Sequence, residues 1–260
     1  MKRVCLIHQQ QGIGDLLFIQ KIVKKYCQEG FNVICPILTQ HKIILNCVTT
    51  ETARYPLISE KSALLESFEY ARDHIFLVSA CETHFGDSLF ARPLDAGDFV
   101  FLALGPSYKR FPEDGVMLSK YRLAGIDHSD WQDFVSIRRN LKSESSLLRL
   151  LGLDKDRKYT LINEYSSNGR VEIKDPGDAI YMQQIKGYTL FDWIAVLEGC
   201  SRLVTVDTSL VLLAEVFLRK TAPAYLISKW PTGDPSYIGL QPALRLPWVF
   251  APYASDLKLD

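Results

Sequence analysis

Short apolar runs alternate with amphipathic segments along the first part of the chain. The run 3–8 predicts a β-strand, and apolar residues recur at helical spacing over 15–28, with lysines on the opposite side. Gly30 follows as a helix stop, and the apolar run 31–38 predicts a second strand. Strand, tight turn, helix and strand in this order are typical of the βαβ unit of a parallel sheet.

The pattern becomes less regular beyond this first unit. Helical patterns cover 59–73 and 113–126, and apolar runs typical of strands cover 74–81 and 98–105. The segment 129–158 is highly charged and partly loses its apolar periodicity. Such a segment favours a connection between two domains.

A second series of strands and helices begins near residue 159. Thr189 and Asp192 have the spacing of a capping box, which predicts the start of a helix over 189–200. Further apolar runs predict a strand, a helix and another strand, over 202–206, 210–218 and 224–228. We therefore predict two α/β lobes, with an N-terminal lobe over 1–140, a connector over 141–157 and a C-terminal lobe over 158–260.

Composition narrows the class of protein. The 260 residues include 30 basic and 30 acidic side chains, and this balance argues against nucleic acid as the main partner. The six cysteines lack a C-x-x-C pair, which favours free thiols in a reducing compartment over a zinc site. The apolar run at the N-terminus is too short for a signal peptide or a membrane span. We expect a cytoplasmic protein with at most peripheral membrane contact.

Two strand-turn-helix corners carry residues suited to a ligand. Ligands of open parallel sheets bind beyond the carboxyl ends of the strands, where helix N-termini attract phosphate. One corner is 12–15, with two glycines and an acid, and the other is 207–209, with Asp, Thr and Ser. The small polar loop 166–169 follows another strand, so we expect a nucleotide diphosphate in the C-terminal half. An ordinary tight turn and ordinary helix caps remain the alternative.

The first corner does not match the common nucleotide-binding fingerprints. Leu17 occupies the position of the third glycine of G-x-G-x-x-G, and no acid ends the second strand. The P-loop pattern is also absent from the sequence. Binding of NAD and ATPase activity are therefore not predicted.

Together, the two corners resemble those of the heptosyltransferase-like glycosyltransferases of family 9. The resemblance lies in "GIGDLLFIQKI" near the start and in "LFDWIAVLEGCSRLVTVDTSLVLLAEVF" late in the chain. It implies two Rossmann-like lobes in a GT-B arrangement, and the short stretch 169–189 indicates that the second lobe is reduced.

The family resemblance implies transfer of a sugar from a nucleotide-diphosphate-sugar donor to a glycan or glycolipid acceptor. The reaction would invert the anomeric carbon and need no metal or other cofactor. Asp15 would be the general base. Independently of the resemblance, His84 is a second candidate for this role because it comes just after a predicted strand, and a histidine in a surface loop is the alternative. The residues expected to bind the donor are Gly12, Gly14, Glu164, Ser166, Ser167, Asn168, Gly169, Arg170, Lys174, Asp207, Thr208 and Ser209.

Two departures from the family pattern leave another function open. Ser209 stands where the family usually has glycine, and Leu212 stands near the place of a common histidine. The alternative is a catalytically inactive protein of glycosyltransferase type that binds a nucleotide or a glycan. A nucleotide-sugar epimerase or isomerase is a third possibility, and it would turn over the donor without an acceptor.

Overall fold

The computed structural model divides the chain into two compact units. Unit 1 comprises Met1–Ile137 and Ile238–Ala243, and unit 2 comprises Arg138–Tyr237 and Leu244–Asp260. The structure describes residues 3–9, 12–46, 48, 53–58, 94–95, 99–105, 107–154, 156–167, 169–173, 177–228 and 240–251.

Unit 1 is built on a mainly parallel sheet. Its described strands are β1 (Val4–His8), β2 (Asn32–Ile34), β3 (Ile37–Leu38), β4 (Ala53–Arg54), β5 (Leu57–Ile58), β6 (Leu94–Asp95) and β7 (Phe99–Ala103). The sheet has the order β4–β2–β1–β7–β6, in which only the pairing of β6 with β7 is antiparallel among these strands. β3 and β5 form a separate parallel pair. β1 and β7 are buried almost throughout, as expected for strands in the middle of a parallel sheet.

The helices of unit 1 follow the predicted pattern with one interruption. The described α-helices are α1 (Ile13–Phe18), α2 (Gln20–Gln28) and α3 (Gly115–Ala124). The single helix predicted over 15–28 divides at Ile19, which has a ψ of 1°. The strand predicted over 31–38 also divides, because Pro36 has no N–H to donate to a neighbouring strand. The helix and strand predicted over 59–73 and 74–81 lie outside the described residues.

Unit 2 contains a parallel sheet and a short hairpin. Its described strands are β8 (Thr160–Asn163), β9 (Tyr165–Ser166), β10 (Gly169–Arg170), β11 (Ala179–Tyr181), β12 (Arg202–Val206), β13 (Ala224–Ile227) and β14 (Trp248–Ala251). The sheet order is β11–β8–β12–β13–β14, and every pairing in it is parallel. β9 and β10 form the antiparallel hairpin, so the predicted polar loop 166–169 is the turn region of a hairpin.

The described helices of unit 2 are α4 (Leu141–Leu150), α5 (Ile194–Gly199) and α6 (Ser209–Phe217). The capping box predicted at Thr189 and Asp192 is present, although the first turn, Leu190–Trp193, is a 3₁₀-helix. The strands and helices predicted between 202 and 228 are confirmed within one or two residues at each end.

The segment predicted as a connector is partly helical. Asn140 caps α4 by accepting a hydrogen bond from the Ser143 N–H, and Leu147 is fully buried. Most of the other α4 side chains are polar or exposed, which explains why the apolar pattern over 141–157 did not predict a helix.

The described cysteines are free thiols, as predicted. Cys5, Cys35 and Cys200 are buried, and Cys27 is partly exposed. Burial raises the pKa of Cys35 to about 12, so this thiol is protonated and unreactive at neutral pH.

Within the part of the chain that the structure describes, no helix combines the length and the apolar character needed to cross a bilayer.

The contact between α5 and Tyr159, the residue before β8, predicts the effect of a substitution on stability. A Cβ at Gly199 would lie 2.7 Å from the Tyr159 hydroxyl oxygen, which donates to the Val196 carbonyl over 2.7 Å. Gly199→Ala should therefore lower the free energy of unfolding by about 1–3 kcal/mol, because the buried ring must shift. Tyr159→Phe should restore part of this loss in the double variant. Urea unfolding measures the free energy that Gly199→Ala costs in the wild type and in the Tyr159→Phe background. If this cost is the same in both, the contact is contradicted.

Candidate functional site

The first corner lies at the carboxyl edge of the unit 1 sheet. His8 at the end of β1 is paired with Ala103 at the end of β7, and the Gly105 N–H donates to the His8 carbonyl over 3.1 Å. α1 begins five residues after β1 ends. Gly12, Gly14 and Asp15 therefore occupy the predicted strand-turn-helix position beyond the sheet.

A buried lysine binds the carboxylate of Asp15. Lys120 Nζ lies 2.8 Å from Asp15 Oδ1, and the Lys120 side chain is 0 % exposed while that of Asp15 is 18 % exposed. The same ammonium donates to the Val116 carbonyl over 2.8 Å. Asp15 makes no side-chain cap at the N-terminus of α1, so its carboxylate is directed to α3 rather than to its own helix.

Lys120 was not identified as a site residue from the sequence. The helix predicted over 113–126 places Lys120 at i+4 from Val116 and three residues before Leu123, on one helical face. A lysine on an otherwise apolar face was the available signal, since buried lysines almost always have a charged partner.

Gly12 lies beside the second carboxylate oxygen of Asp15. Neither Gly12 nor Gly14 has a positive φ, so the backbone conformation does not require glycine at either position. A Cβ at Gly12 would lie 3.9 Å from Asp15 Oδ2. An alanine at position 12 would thus make only an ordinary van der Waals contact with the Asp15 oxygen that Lys120 does not bind.

Gln9 adds a buried polar group to the same corner. It follows β1 directly and is fully buried. Neither its amide nitrogen nor its amide oxygen has a hydrogen-bond partner among the described residues. A buried amide without a partner is costly in free energy, and such groups in native proteins often serve a functional site.

The second corner is held together by Asn163. Asn163 and Thr205 are aligned in the pairing of β8 with β12. The Asn163 amide donates to the hydroxyl oxygens of Thr205 and Thr208, over 3.1 Å in each case. Asn163 thus joins the carboxyl ends of two neighbouring strands, and the sequence reading did not single it out.

The hydroxyl of Thr208 is oriented by the hydrogen bonds that it accepts. Besides the Asn163 amide, the N–H of Leu210 donates to it over 3.3 Å, which caps α6 as predicted. A hydroxyl accepts two hydrogen bonds and donates one. Because both accepting positions are occupied, the Thr208 proton is directed away from these two donors. Asp207 precedes this residue and Ser209 begins α6.

The hairpin after β8 carries an ion pair. The buried Glu164 accepts from Arg170 Nε through Oε2 and from the Ile173 N–H through Oε1, both over 2.8 Å. The Arg170 side chain is 56 % exposed, and hydrogen bonding to Glu164 raises the pKa of its guanidinium. Glu164 therefore orients a permanently charged cation at the surface of unit 2.

The remaining predicted donor residues are only partly described. Ser166 donates to the Gly169 carbonyl over 3.3 Å within the hairpin, beside Ser167. His84, Asn168 and Lys174 lie outside the described residues. Among the residues that the structure describes, no group of three or more His, Cys, Asp or Glu side chains could hold a metal ion.

The fold of the chain is that of the GT-B glycosyltransferases of family 9, and the predicted fold class is confirmed. A family 9 glycosyl transferase from Veillonella parvula matches with a TM-score of 0.57, covering 96 % of this chain and 86 % of that one at 9 % identity. The ADP-heptose LPS heptosyltransferase II of E. coli matches with a TM-score of 0.53, covering 95 % and 90 % at 11 % identity.

A third solved structure is larger than this chain. The glycosyltransferase TibC of enterotoxigenic E. coli, described as iron-containing and dodecameric, matches with a TM-score of 0.50 at 13 % identity. The match covers 97 % of this chain and 63 % of TibC. No protein-family model matches the sequence, and the comparison with curated proteins finds no match either.

The ion pair between Asp15 and Lys120 predicts how substitutions of these residues change the stability of the protein. Asp15→Asn should lower the free energy of unfolding by about 2–4 kcal/mol, because it leaves the buried ammonium of Lys120 without an opposite charge. Adding Lys120→Met should recover most of this loss, since methionine fills the same space without a charge. Urea unfolding of the wild type, both single variants and the double variant measures the coupling. If the free-energy losses of the two single variants simply add in the double variant, the pairing is contradicted.

Proposed function

We propose that this protein is a glycosyltransferase that moves a sugar from a nucleotide-diphosphate-sugar donor to a hydroxyl acceptor, with inversion and without a required metal. The observation that carries the proposal is the shared fold, which extends over nearly the whole chain and over most of two family 9 neighbours. The sugar is a hexose or a heptose, and the acceptor is a glycan or a glycolipid.

We assign the nucleotide diphosphate to unit 2. The Thr208 hydroxyl can donate to a phosphate oxygen, because Asn163 and Leu210 already occupy its accepting positions. The N-terminus of α6 adds a partial positive charge at the same corner. Arg170 supplies a full charge, and its contacts with Glu164 use Nε and Nη2 and leave Nη1 for a phosphate.

We assign the acceptor to the first corner. Asp15 Oδ1 is bound by Lys120, whereas Oδ2 lies on the side of Gly12. The Gln9 amide, which has no partner among the described residues, supports recognition of a ligand rich in hydroxyl groups.

The proposed reaction is a single displacement. The acceptor oxygen attacks the anomeric carbon while its proton passes to Asp15 Oδ2. The bond between the anomeric carbon and the diphosphate breaks, and its electron pair leaves with the nucleoside diphosphate. Hydrogen-bond donors and Arg170 stabilise the charge that develops on this leaving group, which is the part that a metal plays in other transferases.

Catalysis without a metal has a direct test. Incubation with EDTA followed by gel filtration should leave both nucleotide binding and donor turnover unchanged. A loss of turnover that added Mg²⁺ or Mn²⁺ restores would contradict this part of the proposal. The cytoplasmic location also remains a prediction.

A second candidate function is binding of a nucleotide or glycan without catalysis. The observation that favours it is the ion pair itself, because Lys120 occupies one of the two oxygens that Asp15 offers. Such a protein would bind a nucleoside diphosphate but would release none from a nucleotide sugar under any acceptor condition.

Nucleotide binding is tested by thermal shift with ADP, UDP, GDP, CMP and dTDP and their common sugar conjugates. We expect one nucleotide to raise the melting temperature of the wild type, since a ligand at 100 times its Kd adds about 2.7 kcal/mol. Thr208→Val and Arg170→Met should each reduce the ligand-induced shift.

Thr189→Val is the matched control for Thr208→Val. It also removes a capping hydroxyl from a helix of unit 2, so it should lower the melting temperature without ligand and leave the ligand-induced shift intact. If every nucleotide leaves the wild-type transition unchanged at millimolar concentration, the assignment to unit 2 is wrong.

A further inference from the structure

We propose that Lys120 is a positioning residue, which holds Asp15 by one oxygen so that the other faces the acceptor hydroxyl. This inference rests on the proposed function, because it gives a second residue a role in placing the base of that reaction. Lys120 itself touches no substrate in this account and transfers no proton.

The first support is the saturated environment of the ammonium. Its three N–H groups are directed to Asp15 Oδ1 at 2.8 Å, to the Val116 carbonyl at 2.8 Å and to the Met117 sulfur at 3.6 Å. The side chain is 0 % exposed. An ammonium with three partners in a buried setting has a fixed position, so the carboxylate oxygen that it binds is fixed as well.

The second support is the attachment of α3 to α1. The Tyr121 hydroxyl, next to Lys120, donates to the Phe18 carbonyl at the end of α1 over 2.6 Å. The Phe18 and Tyr121 rings also meet edge to face, with centroids 4.9 Å apart. On the other side of Lys120 in the sequence, the Ser119 hydroxyl shares a hydrogen bond of 2.8 Å with the hydroxyl of Ser107, which lies between β7 and α3. The lysine therefore approaches Asp15 from a helix that is itself held in place.

The third support is the free-energy cost of burying the Lys120 ammonium. Burying an ammonium in an ion pair gives little or no net stability compared with an apolar side chain of similar volume. Asp15, in the first turn of α1, would interact favourably with the dipole of that helix without any help from α3. The ion pair is therefore poorly explained by stability alone, whereas orientation of one carboxylate oxygen explains its geometry.

The role in the reaction follows from the two oxygens. The acceptor O–H bond breaks and its proton goes to Oδ2, while Oδ1 keeps its hydrogen bond to the protonated Lys120. Without Lys120 the carboxylate can rotate about its χ angles, and Oδ2 no longer has a single orientation. Misplacement of a reacting group by about 1 Å can cost about 100-fold in rate.

The test compares Lys120→Met with a matched control, Lys21→Met. Lys21 is also a buried lysine of unit 1, and it pairs with Asp130 and with the Asp127 carbonyl instead of Asp15. Turnover is followed as nucleoside diphosphate released from ADP-, UDP-, GDP- and dTDP-linked sugars, with water or added glycans as acceptor. A crystal structure of Lys120→Met reports the Asp15 rotamer independently of any substrate.

For Lys120→Met we expect kcat to fall about 10- to 100-fold, while the donor KM stays within about twofold of the wild type. In the crystal structure of this variant, Asp15 should adopt a different rotamer or several rotamers. Lys21→Met should lower the melting temperature but keep the wild-type kcat.

The positioning role is overturned if Lys120→Met keeps the wild-type kcat, or if Asp15 keeps its orientation in the variant. It is also overturned if Lys21→Met lowers kcat as much, because the effect would then come from loss of any buried lysine. A wild type that releases nucleoside diphosphate from none of the donors would instead refute the proposed function, and the inference with it.

Discussion

Parallel strand pairing is the constraint on which both candidate corners depend. In a parallel sheet every strand ends at the same edge, so the loops that lead into the following helices gather there. In unit 1 the ends of β1 and β7 are aligned, and the Gly12–Asp15 corner follows β1. In unit 2 the ends of β8 and β12 are aligned, and Asn163 reaches across to Thr208. Each unit therefore presents one polar corner at the carboxyl edge of its sheet.

The two corners differ in charge and in how that charge is held. The first contains a carboxylate whose partner is a buried ammonium on a neighbouring helix. The hairpin that follows Asn163 of the second corner carries an exposed guanidinium whose partner is a buried carboxylate of the same hairpin. In both cases the buried member orients the more exposed one. A carboxylate suits removal of a proton from a hydroxyl, and a guanidinium suits a phosphate, which is the division of roles in the proposed transfer.

The local patterns predicted much of each unit. The alternation of apolar runs and amphipathic segments located β1, β7, α3, β12 and α6, and the Thr189–Asp192 spacing located a capping box. The break at Ile19 and helix α4 were not predicted, because neither leaves a clear mark in hydrophobic periodicity. Lys120 and Asn163 were missed because their contacts join residues 105 and 45 positions apart. Such contacts are set by tertiary packing, and the chain near each residue does not reveal its partner.

The assignment of Asp15 as the base is tested with the double variant Asp15→Asn/Lys120→Met. This variant removes the proposed base without leaving a buried charge unpaired, so the effect of the base is separated from that of stability. We would measure the initial rate of nucleoside diphosphate release from the donor whose nucleotide stabilises the wild type. We expect wild-type nucleotide binding and a rate at least about 100-fold lower, because the general base is lost. A double variant that binds the nucleotide and releases it from the donor at the wild-type rate would show that Asp15 is not the base.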